Sequence, residues 1–195
     1  MSTPSSQKVF TKDQTVTRGG LVYHQDTNEL VTGIVEEFHE NGQLRIRNNF
    51  KDGKRDGPWE WFHENGQLRV RGNYIDGKRD GLSEYFYENG QLEIRQNYVD
   101  GKEDGLSEEF YEDGQLWFRG NYIDGKLDGL FEEFHENGQL RFRLNYIDGK
   151  RDGLIEFFDE LIAQRREDPR EDLVSAMAAA EVDGECLDRN ELFGL

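Results

Sequence analysis

From Gly33 to Asp152 the chain alternates short apolar runs with glycine-centred turns, and the turns fall at a constant interval. Residues 81–104 read GLSEYFYENGQLEIRQNYVDGKED. Two runs rich in Phe, Tyr, Ile and Leu are separated by an Asn-Gly and an Asp-Gly dipeptide, the pattern of hairpins joined end to end. One set of turns opens at Glu40, Glu64, Glu88, Glu112 and Glu136, the other at Asp52, Asp76, Asp100, Asp124 and Asp148, each 24 residues after the last. Such a period marks an internal array. Five full units begin at Gly33, Gly57, Gly81, Gly105 and Gly129, and a sixth begins at Gly153 and breaks off after Glu160.

Side-chain parity predicts the first turn. A two-residue Asn-Gly loop would pair Tyr85 with Ile94, whereas a three-residue Glu-Asn-Gly loop with a left-handed glycine sets Phe86 across from Leu92. The second choice gathers Leu82, Phe86, Leu92, Ile94 and Tyr98 on one oily face. It leaves Tyr85, Tyr87, Gln91, Glu93, Arg95 and Asn97 on a mixed face. Matching residues of successive units are two strands, roughly 10 Å, apart. They form ladders, Phe38, Phe62, Phe86, Phe110 and Phe134 on the oily face and Arg47, Arg71, Arg95, Arg119 and Arg143 on the mixed one. The same parity puts Glu36, Glu60, Glu84, Glu108, Glu132 and Glu156 on the oily face, where each needs a hydrogen-bond partner from its neighbour. The expected fold is all-β, an elongated single-sheet antiparallel meander of about eleven or twelve strands. The boundaries read as a disordered N-terminal segment over 1–20, the array over 21–160 and a short α-helical C-terminal tail over 161–195.

The unit G-L-x-E-x-F-Y-E-N-G-Q-L-R-x-R-x-N-Y-x-D-G-K-x-D resembles the variant MORN (membrane occupation and recognition nexus) repeat, in the bacterial branch often labelled as antitoxin components. The likeness runs from about Leu21 to Glu160, and the stretch Leu21-Val22-Tyr23-His24 to Thr32-Gly33 resembles the half-unit with which such proteins begin. The resemblance implies an elongated antiparallel meander used for binding. Beyond Leu161 helix formers take over, with a break before Pro169. Residues 158–195, with Arg165-Arg166, Asp168-Pro169 and Ala180-Glu181-Val182-Asp183-Gly184-Glu185, resemble a mid-chain fragment of the bacterial cytochrome P-four-fifty monooxygenases. That fragment excludes the haem-ligating cysteine, and without an axial thiolate it confers no oxygen chemistry.

Charge sharpens the expectation about partners. The chain has 195 residues and a formal net charge of −17, with 34% hydrophobic and 33% charged residues. Residues 81–128 hold 12 acidic and 4 basic side chains, and residues 153–195 hold the same numbers. Nucleic acid and anionic lipid are repelled by such a surface, and a basic protein is attracted. No apolar run is long enough to insert in a membrane. The lone Cys186 suits a reducing compartment, so a cytoplasmic location is expected.

The chemistry-bearing positions read mainly as structure. The Asp-Gly-Lys-x-Asp-Gly loops lack the further oxygen donors of a calcium loop, and aspartate-supported turns account for them. His39, His63 and His135 stand one unit or more apart, too far for one zinc. No Ser/His/Asp set, phosphate loop or zinc motif is present. The expectation is therefore no enzyme, no cofactor, no metal and no catalytic residue. The expected function is a protein-binding module, an antitoxin-type protein that occludes a basic toxin. The rivals are a membrane-associated MORN scaffold and an inactive haem-monooxygenase fragment. Partner-binding residues are expected among the exposed aromatics Trp59, Trp61, Tyr85, Tyr87, Tyr111, Trp117 and Phe131, and at Glu93 and Glu103, which replace arginines of other units.

Overall fold

The computed structural model describes residues 7–152, 181–182 and 185–186. An N-terminal stretch forms β1 (Val9–Thr11), a 3-10 turn, β2 (Thr15–Arg18) and β3 (Leu21–His24). The array follows as β4 (Gly33–Phe38), β5 (Leu44–Lys51), β6 (Lys54–Phe62), β7 (Leu68–Ile75), β8 (Lys78–Arg79) and β9 (Gly81–Phe86). It continues as β10 (Leu92–Val99), β11 (Lys102–Glu103), β12 (Gly105–Phe110), β13 (Leu116–Ile123), β14 (Lys126–Phe134), β15 (Leu140–Ile147) and β16 (Lys150–Arg151). From β4 onward the longer strands pair antiparallel in chain order, the two-residue β8 and β11 pair only with β7 and β10, and β1 adds to the first edge parallel to β4. A separate two-residue pair joins β17 (Glu181–Val182) to β18 (Glu185–Cys186). The helices expected over 161–195 and the sixth unit fall largely or wholly outside the described residues.

The two turns are built differently. Asp52, Asp76, Asp100, Asp124 and Asp148 have φ between 48° and 52°, and the glycines after them are also left-handed. Two consecutive residues at positive φ make a two-residue type I′ turn, whose twist matches that of the strands it joins. At the other end Tyr87 N–H donates to the Gln91 carbonyl (2.9 Å) and Gly90 N–H to the Tyr87 carbonyl (2.9 Å). This is the expected three-residue Glu-Asn-Gly loop, with Gly90 at φ 84° and Phe86 across from Leu92.

The parity beyond that loop differs from expectation. Register shifts between Leu92 and Ile94, so Glu93 is an extra residue in a bulge, and Tyr85 then faces Ile94 while Glu84 faces Arg95. The same slip recurs after Leu44, Leu68, Leu116 and Leu140. A one-residue slip exchanges the faces of all that follows. The predicted oily face therefore does not exist as drawn. Glu84, Phe86 and Arg95 share one side, here the glutamate face. Ser83, Tyr85, Ile94 and Tyr98 share the other, the aromatic face. The Phe and Arg ladders, expected on opposite faces, lie together, with the Arg71 guanidinium 5.5 Å over the Phe86 ring.

The N-terminal segment, expected to be disordered, is ordered from residue 7 onward and covers the first unit. Val22 N–H bonds the Gly53 carbonyl (2.9 Å), Gly53 N–H the Val31 carbonyl (2.8 Å) and Ile34 N–H the Lys8 carbonyl (2.8 Å). Phe10 and Val22 pack on the buried Val31, Val35 and Phe50. A second cluster follows in the next units, where Trp59, Val70 and Tyr74 are buried with Trp61 and Tyr85 against them.

Candidate functional site

The glutamate row is neutralised by the arginine row. Glu132 is 1% exposed. It accepts from Arg119 Nε at 2.5 Å and from Arg143 Nη2 at 2.6 Å. Glu84 is likewise bridged by Arg71 Nη2 at 2.6 Å and Arg95 Nη2 at 3.3 Å. Burial would raise the Glu132 carboxyl, but the hydrogen bonds and charges of Arg119 and Arg143 bring it below its ordinary value. These bridges link one unit to the next, a structural use of charge.

The His/Tyr row is also structural at its polar end. His39 Nε2 lies 3.0 Å from the Phe62 carbonyl and His63 Nε2 lies 2.9 Å from the Phe86 carbonyl. Tyr87 Oη donates to the Phe110 carbonyl (2.7 Å), and Tyr111 Oη to that of Phe134 (2.9 Å). Each ring therefore stitches its unit to the next one.

The aromatic candidates separate by burial. Trp59 is only 4% exposed and lies across Gly72, where a Cβ would come within 2.5 Å of its Nε1. It is a core residue and offers no contact to a partner, a correction to its expected place on an exposed face. Trp61 and Tyr85 pack beside it. Arg79 lies 5.4 Å over the Trp59 ring and 5.2 Å over Tyr98, and donates to the Tyr85 hydroxyl (2.9 Å). Burial by itself lowers the Arg79 guanidinium, but the hydroxyls of Tyr74, Tyr85 and Tyr98 around it outweigh that and raise it above its ordinary value, so it stays charged. Phe131 lies over Gly120 in the same manner and stacks between Phe118 (5.4 Å) and Phe142 (6.0 Å). Trp117, by contrast, is 39% exposed. It occupies the bulge position, edge-on to Phe118 at 5.4 Å and tilted on Tyr111 at 6.1 Å.

The bulge position decides the electrostatics of the aromatic face. In the first unit Arg45 occupies it and bonds Glu37 at 2.9 Å; in the fifth, Arg141 bonds Glu133 at 2.5 Å. In the fourth unit the matching carboxylate is Glu109, and Trp117 stands where its arginine would be. Glu109 has no ion-pair partner among the described residues. Burial pushes its carboxyl above the ordinary value, and the negative charges of Glu93 and Glu103 push it further. Glu103 itself stands where Arg55, Arg79 and Arg151 stand in other units, and its carboxylate lies 3.4 Å from the Tyr98 hydroxyl. Glu93 and Glu103 were legible from the sequence as charge replacements. Glu109 was not, although the eight-residue spacing of Glu37 to Arg45, and its loss between Glu109 and Trp117, was available to find it.

The MORN repeat variant model matches residues 31–52, 55–76, 79–100, 103–124 and 127–148, more than half of the chain. The chain belongs to the MORN repeat variant family. Each matched MORN segment ends on the Asp of a type I′ turn, so the family unit is one strand, the Glu-Asn-Gly loop and the returning strand. Among curated proteins none matches this MORN chain. Among solved structures, S. aureus TarM is similar at 12% identity over 59% of this chain and 21% of that one, with TM-score 0.31. The GtfA/B complex bound to UDP and GlcNAc is similar at 14% identity over 84% and 28%, with TM-score 0.23. Accessory secretory protein 1,2 and 3 of Streptococcus pneumoniae is similar at 14% identity over 68% and 20%, with TM-score 0.19. The chain spans less than a third of each of these, and likeness at this level carries no inference about activity. Among the described residues no helix is long and apolar enough to cross a membrane, and no cluster of His, Cys, Asp or Glu could hold a metal ion.

Proposed function

We propose that this MORN-repeat chain is a non-catalytic protein-binding module whose aromatic face, over the third and fourth units, takes a basic partner. The observation that supports this is the uncompensated carboxylate set of Glu93, Glu103 and Glu109 beside the exposed Trp117. In the first and fifth units the bulge position carries an arginine that neutralises the facing glutamate. Removing both arginine rows leaves like charges in proximity, which raises the folded-state free energy and is relieved when a cation arrives. Trp117, with Phe118 and Tyr111 beside it, adds apolar contact area at low conformational cost. Occlusion of a basic surface in this way is the mechanism an antitoxin would use, and a reducing cytoplasm is the location we assign to it.

A synthetic peptide alternating Arg and Gly, with its Glu counterpart as control, tests the reading. Fluorescence anisotropy should show binding of the basic peptide that weakens with salt and disappears in the Glu93→Arg, Glu103→Arg double variant. The melting transition of that variant should stay near that of the parent. Indifference of binding to both the charge reversal and the salt would remove the electrostatic basis.

A second reading has its own observation on the glutamate face. Leu82, Leu106 and Leu130 form one row of exposed aliphatic side chains, and Ile75, Val99, Ile123 and Ile147 form another, all between 43% and 59% exposed. The second row stands opposite Lys78, Lys102, Lys126 and Lys150. Aliphatics bordered by lysines suit a membrane surface, although Lys78, Lys102 and Lys126 each bond the aspartate of the next turn. Sedimentation with neutral and with anionic vesicles separates the readings, since the peptide-binding face lies on the opposite side.

A further inference from the structure

On the aromatic face the array holds guanidinium groups of its own against tyrosines. Arg55 donates to the Tyr74 hydroxyl (3.3 Å) and lies 5.3 Å over that ring. One unit on, Arg79 donates to the hydroxyls of Tyr85 (2.9 Å) and Tyr98 (3.1 Å) and lies 5.2 Å over the Tyr98 ring. A further unit on, the frame recurs without its cation. Tyr122 follows Tyr98 by one period, Glu109 stands in the place of Tyr85, and Glu103 stands in the place of Arg79.

Glu103, Glu109 and Tyr122 are each partly exposed, so a side chain arriving from solvent can reach them. They also lie close enough to act on one another. Burial raises the Glu109 carboxyl and the charges of Glu93 and Glu103 raise it further; burial raises the Tyr122 phenol and the charges of Glu103 and Glu109 raise it further. The neighbouring cations are engaged elsewhere: Lys102 with Asp124 at 2.5 Å, Arg95 with Glu84 and Glu108, Arg119 with Glu132. Arg79 reaches the Tyr98 hydroxyl, which in turn lies 3.4 Å from the Glu103 carboxylate, but Arg79 and Glu103 form no ion pair among the described residues. Both positions from which the array supplies an arginine to this place are therefore lost, one to Glu103 and one to Trp117.

We infer that this place takes an arginine side chain of the bound partner, its guanidinium lying on the Tyr122 ring as Arg79 lies on Tyr98, with Glu103 and Glu109 as its carboxylates. The inference rests on the basic-partner reading above and narrows it from any cation to a guanidinium. A guanidinium is planar and weakly hydrated, so it stacks on a ring at small desolvation cost. Its five N–H donors, in a fixed fork, serve two carboxylates and a hydroxyl at once. An ammonium is a compact, strongly hydrated charge and gains less from the ring. Long-range attraction to the acidic zone alone would treat the two cations alike.

The test uses the full chain and three labelled peptides of equal length, alternating glycine with arginine, with lysine or with citrulline, followed by fluorescence anisotropy. The arginine peptide should bind at least about tenfold more tightly than the lysine peptide. The citrulline peptide, which keeps the shape and loses the charge, should not bind measurably. In Tyr122→Leu the ratio of arginine to lysine affinity should fall toward one, because the ring is gone. It should fall likewise in Glu103→Arg, where the chain's own guanidinium fills the frame as Arg79 does. Position 103 matches positions that carry arginine in other units, so Glu103→Arg decides the matter if circular dichroism shows Tyr122→Leu to be unfolded. Equal affinity for the arginine and lysine peptides would overturn the guanidinium site and leave the basic-partner reading standing. A preference for arginine that survives Glu103→Arg would overturn the site as placed. Absence of binding by both peptides would remove the basic-partner reading, and this inference with it.

Discussion

Replacing Glu132 by Ala tests how far the array depends on its glutamate row. The carboxylate is 1% exposed and is bridged by two arginines, at 2.5 Å from Arg119 Nε and at 2.6 Å from Arg143 Nη2. Each charge-assisted hydrogen bond contributes about 1.5 to 3 kcal/mol, but burying the carboxylate costs part of that back. Both arginine side chains are close to half exposed, 48% and 43%. Their heads therefore reach water when the glutamate is gone, and no buried orphan charge remains. The expected loss is about 2 to 4 kcal/mol. Glu60 is the internal comparison, since its side chain is 35% exposed and meets Arg47 alone, at 3.3 Å. Its replacement by Ala should cost under about 1 kcal/mol. Urea melts of both variants, followed by the fluorescence of Trp117 for the fourth and fifth units and by circular dichroism for the whole sheet, give the comparison. Because units couple mainly to their neighbours, the Trp117 signal should move earliest in the Glu132 variant. The sign with pH follows from the depressed carboxyl of Glu132. Its stabilisation is present above the ordinary carboxylate value and is lost as pH falls through the folded-state value. The gap between parent and Glu132→Ala should therefore close in acid. Equal losses for Glu60→Ala and Glu132→Ala, or a gap indifferent to acid, would refute burial and double bridging as the source.

Three other outcomes are expected. Glu109→Gln should stabilise the chain near neutral pH and lessen the loss of stability as pH rises above the ordinary carboxylate value, because a carboxyl raised by burial, Glu93 and Glu103 disfavours the folded state once ionised; a parallel pair of stability curves in acid and at neutral pH would contradict this. Trp59→Ala should cost about 3 to 5 kcal/mol in a denaturant melt, while Trp117→Ala should cost under about 1 kcal/mol and weaken binding of the basic peptide. Asp100→Gly should be tolerated in the type I′ turn, whereas Asp100→Val should lower the melting temperature measurably, since φ at that residue is 52° and a β-branched side chain resists it.

The 24-residue repeat determined the architecture before any coordinates. Asn-Gly and Asp-Gly state where the chain must reverse, since each sets a residue that tolerates left-handed backbone directly before a glycine. The order of strands in an array of consecutive hairpins then leaves little choice. The three-residue loop was legible for the same local reason. What the sequence did not carry was the bulge that follows it. A bulge is stabilised by pairing across two strands and by the side chains it redirects, so its extra residue looks like any other when the strand is read alone. That single slip changed the meaning of every residue downstream within the unit. Glu84 was expected beside Ile94 and found Arg95 instead; Trp59 was expected on an exposed face and lies in the core.

Some of the missing information was present as pairs. Trp59 across from Gly72 and Phe131 across from Gly120 mark places where a ring lies flat over a strand that lacks a Cβ. The loss of Arg at position 117 marks an unpaired Glu109. Reading such pairs requires the register, and the register is a property of the sheet. The placing of the β2–β3 hairpin over the first unit belongs wholly to tertiary structure, because the hairpin has no repeat signature and Val22 ties it down with two backbone bonds, its N–H to the Gly53 carbonyl and its carbonyl from the Val31 N–H. Local chemistry determined that this chain is an array of hairpins; contacts between strands decided which side chains the array buries, which it neutralises and which it leaves for a partner.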